Sequence, residues 1–535
     1  MRLSIVPQRD ASWPPLAWLA ICRAGEPTIR LRHGDRVEIR DQWFCEAVWD
    51  GDFAAGDFDT TDLVFGSGGR LRDGECVFVS SGCTVDRLQY LWKDDELYVS
   101  NSLACLMACA AVEPDLTFDD YPEFFRSITR GIDDYQRSLP VRNGASGVEL
   151  VYFRNLVWNG LHVLERHKPD PVRDFTAFDL YRQFLSSALG RIASNMADET
   201  RRHRYEMIGA LSSGYDSTTA AVLAREVGLR QVFSFLNARG GQEDHGERVA
   251  QRLGLQLTLI ERQAWREQPL SEIPYFAATG LGPDVIFSGA RELIQGRVLV
   301  TGFHGDKVWG KDTKALGRNL VRGDASGLSF TEHRLMLGAI HLPVAFMGVR
   351  DIEQVHALSN SAELSPWDVG GDYSRPVCRR IVEDAGVPRD WFGRNKMAAT
   401  SLFLQGESQL GRDTERAFHA WLGARRRQAI GREALRIRPP VRAAVVLRDH
   451  YHVVGNILRM LQRLLGSGLA PRLSKLDVGW QRALARSVNP TDMLFPFSID
   501  RMREVYVSAS ARSHAADRHT QGHRSDDSLG RRLAD

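Results

Sequence analysis

The segment 207–224, which reads MIGALSSGYDSTTAAVLA, restricts the possible folds of this chain more than any other. A short apolar run leads into small hydroxyl residues and a glycine, and then into an alanine-rich stretch typical of a helix. A strand, a tight loop and a helix in this order bring backbone N–H groups and a helix N-terminus to one point. The segment therefore predicts a phosphate-binding loop within an α/β fold.

Side chains of the loop provide the groups that a phosphate site needs. The hydroxyls of Ser212, Ser213 and Ser217 can donate hydrogen bonds to phosphate oxygens. A carboxylate repels phosphate, so Asp216 fits such a site if it holds a Mg²⁺ ion. The spacing differs from that of the Gly-x-x-x-x-Gly-Lys loop. The pattern also fits an ordinary strand-turn-helix in which Asp216 or Ser217 is the helix N-cap.

Four short apolar runs alternate with helical segments in the middle of the chain. They are predicted as strands at 207–211, 232–236, 255–260 and 297–301. Such alternation is typical of a parallel sheet with helices on both faces, and ligands of these sheets bind beyond the carboxyl ends of the strands. After about residue 325 the periodicity is helical.

The first 165 residues have a different pattern, with short strands separated by Gly, Asp and Asn turns. Examples are the strands 75–79 and 96–99 and the helix 102–110, whereas the glycine-rich 66–69 predicts a flexible turn. These changes divide the chain into an α+β domain, an α/β domain, a helical extension and a disordered tail low in large apolar residues. The predicted boundaries are 1–165, 175–465, 466–507 and 508–535.

Composition narrows the class of protein. With 69 Lys and Arg against 67 Asp and Glu the formal charge is +2, which favours neither nucleic acid nor a membrane surface as a partner. A run of about 18 apolar residues, as a membrane span requires, is absent from the sequence. Six of the seven cysteines lie in the first 110 residues without a Cys-x-x-Cys pair, so buried reduced thiols are expected. We expect a cytoplasmic protein.

The loop Ser212-Ser213-Gly214-Tyr215-Asp216-Ser217 resembles the Ser-Gly-Gly-x-Asp-Ser loop of PP-loop ATP pyrophosphatases, in particular the asparagine synthetase family. Ser213 replaces the first glycine of that loop. The resemblance implies an adenine nucleotide α-hydrolase-like fold for 175–465, with ATP and Mg²⁺ as cofactors. Members of the family cleave ATP between its α and β phosphates, and the loop holds the departing pyrophosphate.

Two downstream segments extend the resemblance. The stretch 298–310 is similar to the family's Ser-Gly-x-Gly-x-Asp-Glu-x-Phe-Gly, with Gly302 and Asp306 in register and Lys307 where an acidic residue is usual. Asp216 and Asp306 are then implied as the Mg²⁺ carboxylates. The strand at 232–237 is similar to the one that contacts adenine. The implied nucleotide-binding residues are Leu211, Ser212, Ser213, Gly214, Tyr215, Asp216, Ser217, Phe235, Gly302 and Lys307.

A third segment, 387–396, resembles the family's Leu-Pro…Arg-x-Lys. It implies that Lys396 is the catalytic lysine and Arg394 its basic companion, because a fixed cation stabilises charge on the α-phosphate. The family's Glu-x-Arg-x-Pro-Phe segment corresponds to 339–346, which keeps the proline and lacks the glutamate. Glu332 and His341 are candidates to replace that glutamate.

The N-terminal part also resembles the family's glutaminase domain, at 85–92 and 99–106. Glutamine-dependent relatives carry a nucleophilic cysteine immediately after the initiator methionine, where this chain has Arg2. The same loss is found in β-lactam synthetases and lasso-peptide cyclases, in which an amine of the substrate attacks the adenylate. The fold expected for 1–165 is therefore a degenerate N-terminal-nucleophile domain.

The implied function is that of an ATP-dependent, AMP-forming carbon–nitrogen ligase. It would adenylate a small-molecule or peptide carboxylate and join it to an amine, with a partner protein as a candidate for delivering the substrate. Two alternatives stay open. One is an asparagine synthetase-like ligase that uses ammonia, and the other is a catalytically inactive nucleotide-binding scaffold.

Overall fold

The computed structural model describes residues 2–118, 120–143, 145–371, 373–394, 399–401, 410–428 and 490–507. They form a mixed α/β structure that includes a seven-stranded sheet, a six-stranded sheet and a five-stranded parallel sheet. The prediction of helices and strands with a parallel sheet among them is confirmed.

The N-terminal part contains most of the antiparallel pairing. Its elements are β1 (Ser4–Arg9), β2 (Trp18–Arg23), β3 (Thr28–His33), β4 (Glu38–Arg40), β5 (Trp43–Trp49), β6 (Val64–Arg72), β7 (Glu75–Val79), β8 (Leu88–Lys93), β9 (Glu96–Ser100), α1 (Leu103–Cys109), β10 (Glu113–Pro114), α2 (Tyr121–Arg126), β11 (Ser138–Leu139), β12 (Val141–Arg142), β13 (Val148–Val151), β14 (Arg154–Trp158) and β15 (Val163–His167). The seven-stranded sheet has the order β1-β3-β2-β9-β8-β13-β11, and the six-stranded sheet has the order β15-β14-β7-β6-β5-β4.

Aromatic side chains pack these two sheets face to face. Trp18 of β2 stacks on Phe78 of β7 with ring centroids 6.2 Å apart, and meets Phe44 of β5 edge-on at 5.0 Å. All three side chains are fully buried. The indole Nε1 of Trp18 donates to Ser67 Oγ at 3.0 Å, so its polar atom is satisfied within the core.

The glycines at 66–69 lie inside β6, so the prediction of a flexible turn there was wrong. A Cβ on Gly66 would lie 2.8 Å from Ala47 Cα, and a Cβ on Gly68 would lie 2.8 Å from Cys45 Cβ. These residues are glycines because β5 approaches β6 too closely for a side chain.

The rest of the chain contains the parallel sheet and most of the helices. Its elements are α3 (Phe178–Ala197), β16 (Met207–Ala210), α4 (Tyr215–Glu226), β17 (Gln231–Phe235), α5 (Glu247–Leu253), β18 (Gln256–Ile260), α6 (Ile273–Thr279), α7 (Arg291–Ile294), β19 (Val298–Thr301), α8 (Gly305–Val308), α9 (Thr331–Leu337), β20 (Ile340–Pro343), α10 (Ile352–Ser359), α11 (Pro376–Asp384), α12 (Arg412–Gln428) and α13 (Leu494–Tyr506). The four predicted strands of this region are confirmed, with bounds that differ by no more than one residue at either end.

The parallel sheet has the order β18-β17-β16-β19-β20. Successive strands are added outward from β16 on one side, and then from β19 on the other. The winding therefore reverses between β16 and β19, which is where doubly wound sheets open a crevice for ligands. The fifth strand, β20, was missed because it lies in a stretch with helical periodicity and is only four residues long.

A buried charge cluster joins the helix α9 to the N-terminal sheets. The Arg334 guanidinium lies 2.7 Å from Glu46 Oε2 of β5 and 3.0 Å from Asp86 Oδ1, and all three residues are buried. Burial works against the charge on Arg334, but the two carboxylates outweigh it and raise its pKa. Arg334 thus connects α9 to the Glu46 carboxylate of β5 and to the Asp86 carboxylate in the segment before β8.

Part of the predicted C-terminal region lies within the described residues. α13 packs on α2 through Phe495, whose ring centroid is 4.6 Å from that of Tyr121 and 5.0 Å from that of Phe125. The predicted tail at 508–535 lies outside the described residues.

All seven cysteines are free thiols, and all except the half-buried Cys109 are buried, as the sequence predicts. Among the helices in the described ranges, none combines the length and the apolar character that a membrane crossing requires.

Candidate functional site

A cavity of about 230 Å³ opens at the carboxyl ends of β16 and β19, at the position where the winding of the sheet reverses. It is lined by Ala210, Leu211, Ser212, Gly214, Asp216, Ser217, Phe235, Asp244, Ile286, Phe287, Thr301, Gly302, Phe303, His304, Asp306, Asp324, Ser326, Tyr373, Arg375, Ala399 and Thr400. The loop predicted to bind phosphate is therefore part of its wall.

Hydrogen bonds within the loop fix its shape. Ser217 Oγ accepts from the backbone N–H of Ser212 at 3.0 Å and lies 2.7 Å from Ser212 Oγ. Ser212 Oγ in turn accepts from the backbone N–H of Gly214 at 3.1 Å. Gly214 is the N-cap of α4, so the alternative in which Asp216 or Ser217 caps the helix is wrong. α4 starts without a side-chain cap, which leaves N–H groups of its first turn for an anion.

Ser213 anchors the loop from behind. Its hydroxyl donates to Asp244 Oδ1 at 2.7 Å, and its backbone carbonyl accepts from the N–H of Gly393 at 2.8 Å. Burial raises the pKa of Asp244, which the hydrogen bonds from Ser213 oppose. A serine in place of glycine therefore gains a specific partner here, the Asp244 carboxylate.

Arg375 forms an ion pair with Asp216 in the cavity wall. The Arg375 side chain is only 6 % exposed, and its guanidinium lies 5.1 Å from the ring centroid of Tyr373. Burial opposes the charge on Arg375, but the Asp216 carboxylate outweighs this and raises its pKa. Arg375 could not be predicted from the sequence, because it lies 159 positions from Asp216 and no local motif marks it.

The turn after β19 packs directly on the first turn of α4. A Cβ on Gly302 would lie 2.6 Å from the backbone nitrogen of Ser217, and a Cβ on Gly305 would lie 2.7 Å from Asp216 Oδ1. Two glycines are thus required for this approach, and it brings Asp306 to the same cavity as Asp216.

Asp216 and Asp306 are suited to hold Mg²⁺. This ion is usually bound through one or two carboxylates together with phosphate oxygens of the ligand. A cage of three or more His, Cys, Asp or Glu side chains is not found in the described part of the chain. Asp216 and Asp306 therefore fit a cation that binds together with a phosphate ligand. Such a cation would share the Asp216 carboxylate with the Arg375 guanidinium.

Aromatic side chains form the apolar end of the cavity. The ring centroid of Phe287 lies 6.0 Å from that of Phe235 and 6.1 Å from that of Phe303. Ile286 lines the same region. These side chains give the cavity an apolar wall.

Four other predicted residues have different placements. Lys307 donates to the carbonyl of Lys314 and is outside the described lining of the cavity. The fully buried Tyr215 supports the loop by accepting from Arg379. Arg394 is exposed. Lys396 lies outside the described residues, although Thr400, which follows this gap, lines the cavity.

Neither candidate for the missing family glutamate belongs to the described lining. Glu332 accepts from Ser102 Oγ and from the backbone N–H of Leu103, both at 2.8 Å, and so supports the start of α1. His341 is buried behind Thr301. Replacement of the glutamate by either residue therefore has no geometric support.

The polar end of the cavity contains His304, Asp324 and Ser326. His304 has a left-handed backbone with φ 73°, and its ring stacks on Phe346 at 4.6 Å. Burial lowers the pKa of His304 to about 3, so the ring is neutral at pH 7. Asp324 Oδ1 accepts from the backbone N–H of Ser326 at 2.9 Å. These groups offer hydrogen-bond acceptors and one negative charge.

Comparison with models of known protein families gives no match, and comparison with curated proteins finds no significant sequence relative.

Proposed function

We propose that this chain is an ATP-dependent, AMP-forming amide-bond ligase of the asparagine synthetase type. The observation that carries the proposal is the placement of Asp216 and Asp306 on one cavity, beside a serine-rich loop and the uncapped start of α4. An anion-binding loop next to two carboxylates suits a Mg²⁺-bound polyphosphate.

The residues that line the cavity support one orientation of a bound nucleotide. Adenine would occupy the aromatic end at Phe235 and Phe287, and the β and γ phosphates would meet the loop at 212–217. The sheet order and its reversal between β16 and β19 support a PP-loop fold for the α/β region. The α-phosphate would then face the polar end, where a carboxylate substrate can attack it.

Mg²⁺, when bound, neutralises charge on the departing pyrophosphate. Asp216 and Asp306 would hold the ion. Arg375, which pairs with Asp216 in the cavity wall, would supply a guanidinium that can donate hydrogen bonds to phosphate oxygens and stabilise their negative charge. Arg375 therefore replaces Lys307 as the cation that we assign to the phosphates.

The second half-reaction joins the activated acyl group to an amine. The amine nitrogen bonds to the acyl carbon, the bond from that carbon to the phosphate oxygen breaks, and AMP leaves. Asp324 lies at the polar end, where it accepts a hydrogen bond from the Ser326 N–H, and we assign its carboxylate as the general base that takes the proton lost by the amine. Lys396 and Arg394 retain the roles that the family resemblance implies.

We further propose that the amine is part of the substrate. A glutaminase needs an accessible nucleophilic thiol, whereas six of the seven cysteines are buried and the seventh is half-buried in α1. This supports a substrate of the kind that cyclises or ligates through its own amine, either a small molecule or a peptide.

A nucleotide-binding scaffold without catalysis is the second candidate. The pairing of Arg375 with Asp216, together with Lys307 turned to the Lys314 carbonyl, favours it over an active metal site. In a scaffold of this kind ATP would bind without Mg²⁺ and Asp216 would stay paired.

The two proposals differ in the metal dependence of ATP binding, which calorimetry measures. For a ligase we expect binding that needs Mg²⁺ and is lost in Asp216→Ala and Asp306→Ala. Asp179→Ala, at a side chain that is 88 % exposed, is the matched control. Binding that is equally strong without Mg²⁺ and in the Asp306 variant would support the scaffold instead.

A further inference from the structure

A buried histidine supports one hydroxyl of the cavity wall. His341 Nε2 lies 2.8 Å from Thr301 Oγ1, and both residues are 1 % exposed. His341 is on β20, where it pairs with Leu299 of β19, two residues before Thr301. Because side chains alternate along a strand, His341 and Thr301 lie on the same face of the sheet.

The surroundings of His341 hold its ring in place. Phe303 and Phe330 meet it edge-on, with ring centroids at 5.4 Å and 5.5 Å. Burial lowers the pKa of His341 to about 4; the charges of Arg334 and Arg322 act in the same direction, and Asp86 opposes them. The ring is therefore neutral at pH 7 and carries one N–H.

A neutral ring with its hydrogen on Nε2 donates to Thr301 Oγ1. The hydroxyl hydrogen of Thr301, a residue of the cavity lining, is then available for a second acceptor. Thr301 directly precedes Gly302, which packs on the loop, and Phe303 of the aromatic end, and all three residues line the cavity. In the proposed nucleotide pose, the phosphate between the base and the loop is the α-phosphate.

We propose that His341 is a positioning residue that fixes the Thr301 hydroxyl as a hydrogen-bond donor to the α-phosphate of the nucleotide. The assignment rests on the proposed ATP-binding function. His341 would then act on the binding of the α-phosphate, which stays in AMP, and would not replace the family glutamate.

The test compares adenosine, AMP and pyrophosphate as ligands in calorimetry. Thr301→Val removes the donor at constant volume, and His341→Leu removes its support. Each is expected to weaken AMP binding on the order of tenfold, the usual effect of losing one hydrogen bond to a charged group. Adenosine and pyrophosphate binding should change by less than about twofold, and Thr301→Ser should bind AMP like the wild type.

The double variant Thr301→Val/His341→Leu separates positioning from two independent effects. Because His341 acts through Thr301, the double variant should bind AMP no more weakly than Thr301→Val alone. Additive losses, or an equal loss for adenosine, would overturn the assignment.

If His341→Leu does not fold, Thr301→Val can still be compared with Thr301→Ser. Equal AMP affinities of these two variants would also overturn the assignment. If the wild type bound none of the three ligands, the proposed function itself would fail.

Discussion

Arg375 and Asp216 form an ion pair at the start of α4, although they are 159 residues apart in the sequence. Arg375 binds the Asp216 carboxylate, which a Mg²⁺ ion would also need as a ligand. A guanidinium and a divalent cation compete for one anionic group, whereas a polyphosphate can satisfy both. The nucleotide phosphates and the metal are therefore expected to bind together.

Replacement of Arg375 should affect ATP and AMP differently. In Arg375→Gln we expect ATP affinity in the presence of Mg²⁺ to fall on the order of tenfold, because a charge-assisted hydrogen bond to the phosphates is lost. AMP lacks those phosphates and should bind as it does to the wild type. The matched control is Arg389→Gln, whose side chain is 52 % exposed and bonds to Glu383. Equal losses for ATP and AMP would contradict the role given to Arg375.

An alanine at position 302 should move the turn that carries Asp306 away from the start of α4, which carries Asp216. Gly302→Ala places a Cβ 2.6 Å from the Ser217 nitrogen, so the turn after β19 must move away from α4. We expect a loss of about 1–3 kcal/mol in the free energy of unfolding and no detectable Mg·ATP binding.

The control for this variant is Gly190→Ala in α3, where the nearest atom to an added Cβ is 3.9 Å away. It should be neutral or slightly stabilising, because alanine favours a helix. A Gly302→Ala protein that binds Mg·ATP normally would show that the close approach is unnecessary.

Buried histidines should make the protein sensitive to mild acid. Burial lowers the pKa of His333 from 6.5 to about 3, so the unfolded chain binds a proton between these pH values and the folded chain does not. Stability is therefore complete above pH 6.5 and falls as the pH decreases. The loss for His333 at pH 5 is on the order of 2 kcal/mol.

His333→Phe should remove that contribution, since His333 stacks on Tyr275 at 4.8 Å and its Nε2 has no hydrogen-bond partner among the described groups. Urea unfolding at pH 7 and pH 5 measures the difference. If the stability of the variant and of the wild type depended on pH in the same way, His333 would bind a proton as readily in the folded protein as in the unfolded chain.

Asp324 should act after the adenylate has formed. In Asp324→Asn we expect carboxylate-dependent exchange between ATP and pyrophosphate to continue, whereas amide formation falls on the order of a hundredfold, within the range of a lost general base. Asp179→Asn, at a side chain that is 88 % exposed, is the control. Equal loss of both activities would place Asp324 in adenylation instead.

Local pattern predicted much of this structure. The strands β16 to β19 are short, apolar and separated by helices, so their bounds could be read within one residue. The strand β20 could not, because four buried residues in a helical context have no period of their own. The glycines of β6 were mistaken for a turn, because the reason for them is the neighbouring strand β5.

The same division applies to the site. Asp216, Gly302 and Asp306 belong to contiguous motifs, and the structure places all three on the cavity. Arg375 reaches it from a distant segment, and His341 contacts Thr301 of its wall from the adjacent strand β20. Such contacts depend on the tertiary fold, and a single sequence does not record them. Lys307 belongs to a local motif, but its side chain donates to the carbonyl of Lys314 and not to the cavity, which the motif alone did not predict.

The most direct test of the central claim is carboxylate-dependent exchange of labelled pyrophosphate into ATP with Mg²⁺. The screen would include aspartate, other small carboxylates and peptides, with Asp216→Ala and Asp179→Ala as variant and control. We predict exchange with one class of carboxylate, lost in Asp216→Ala and kept in Asp179→Ala. A wild-type protein that binds ATP and catalyses no exchange with any of these carboxylates would contradict the ligase proposal and support the scaffold.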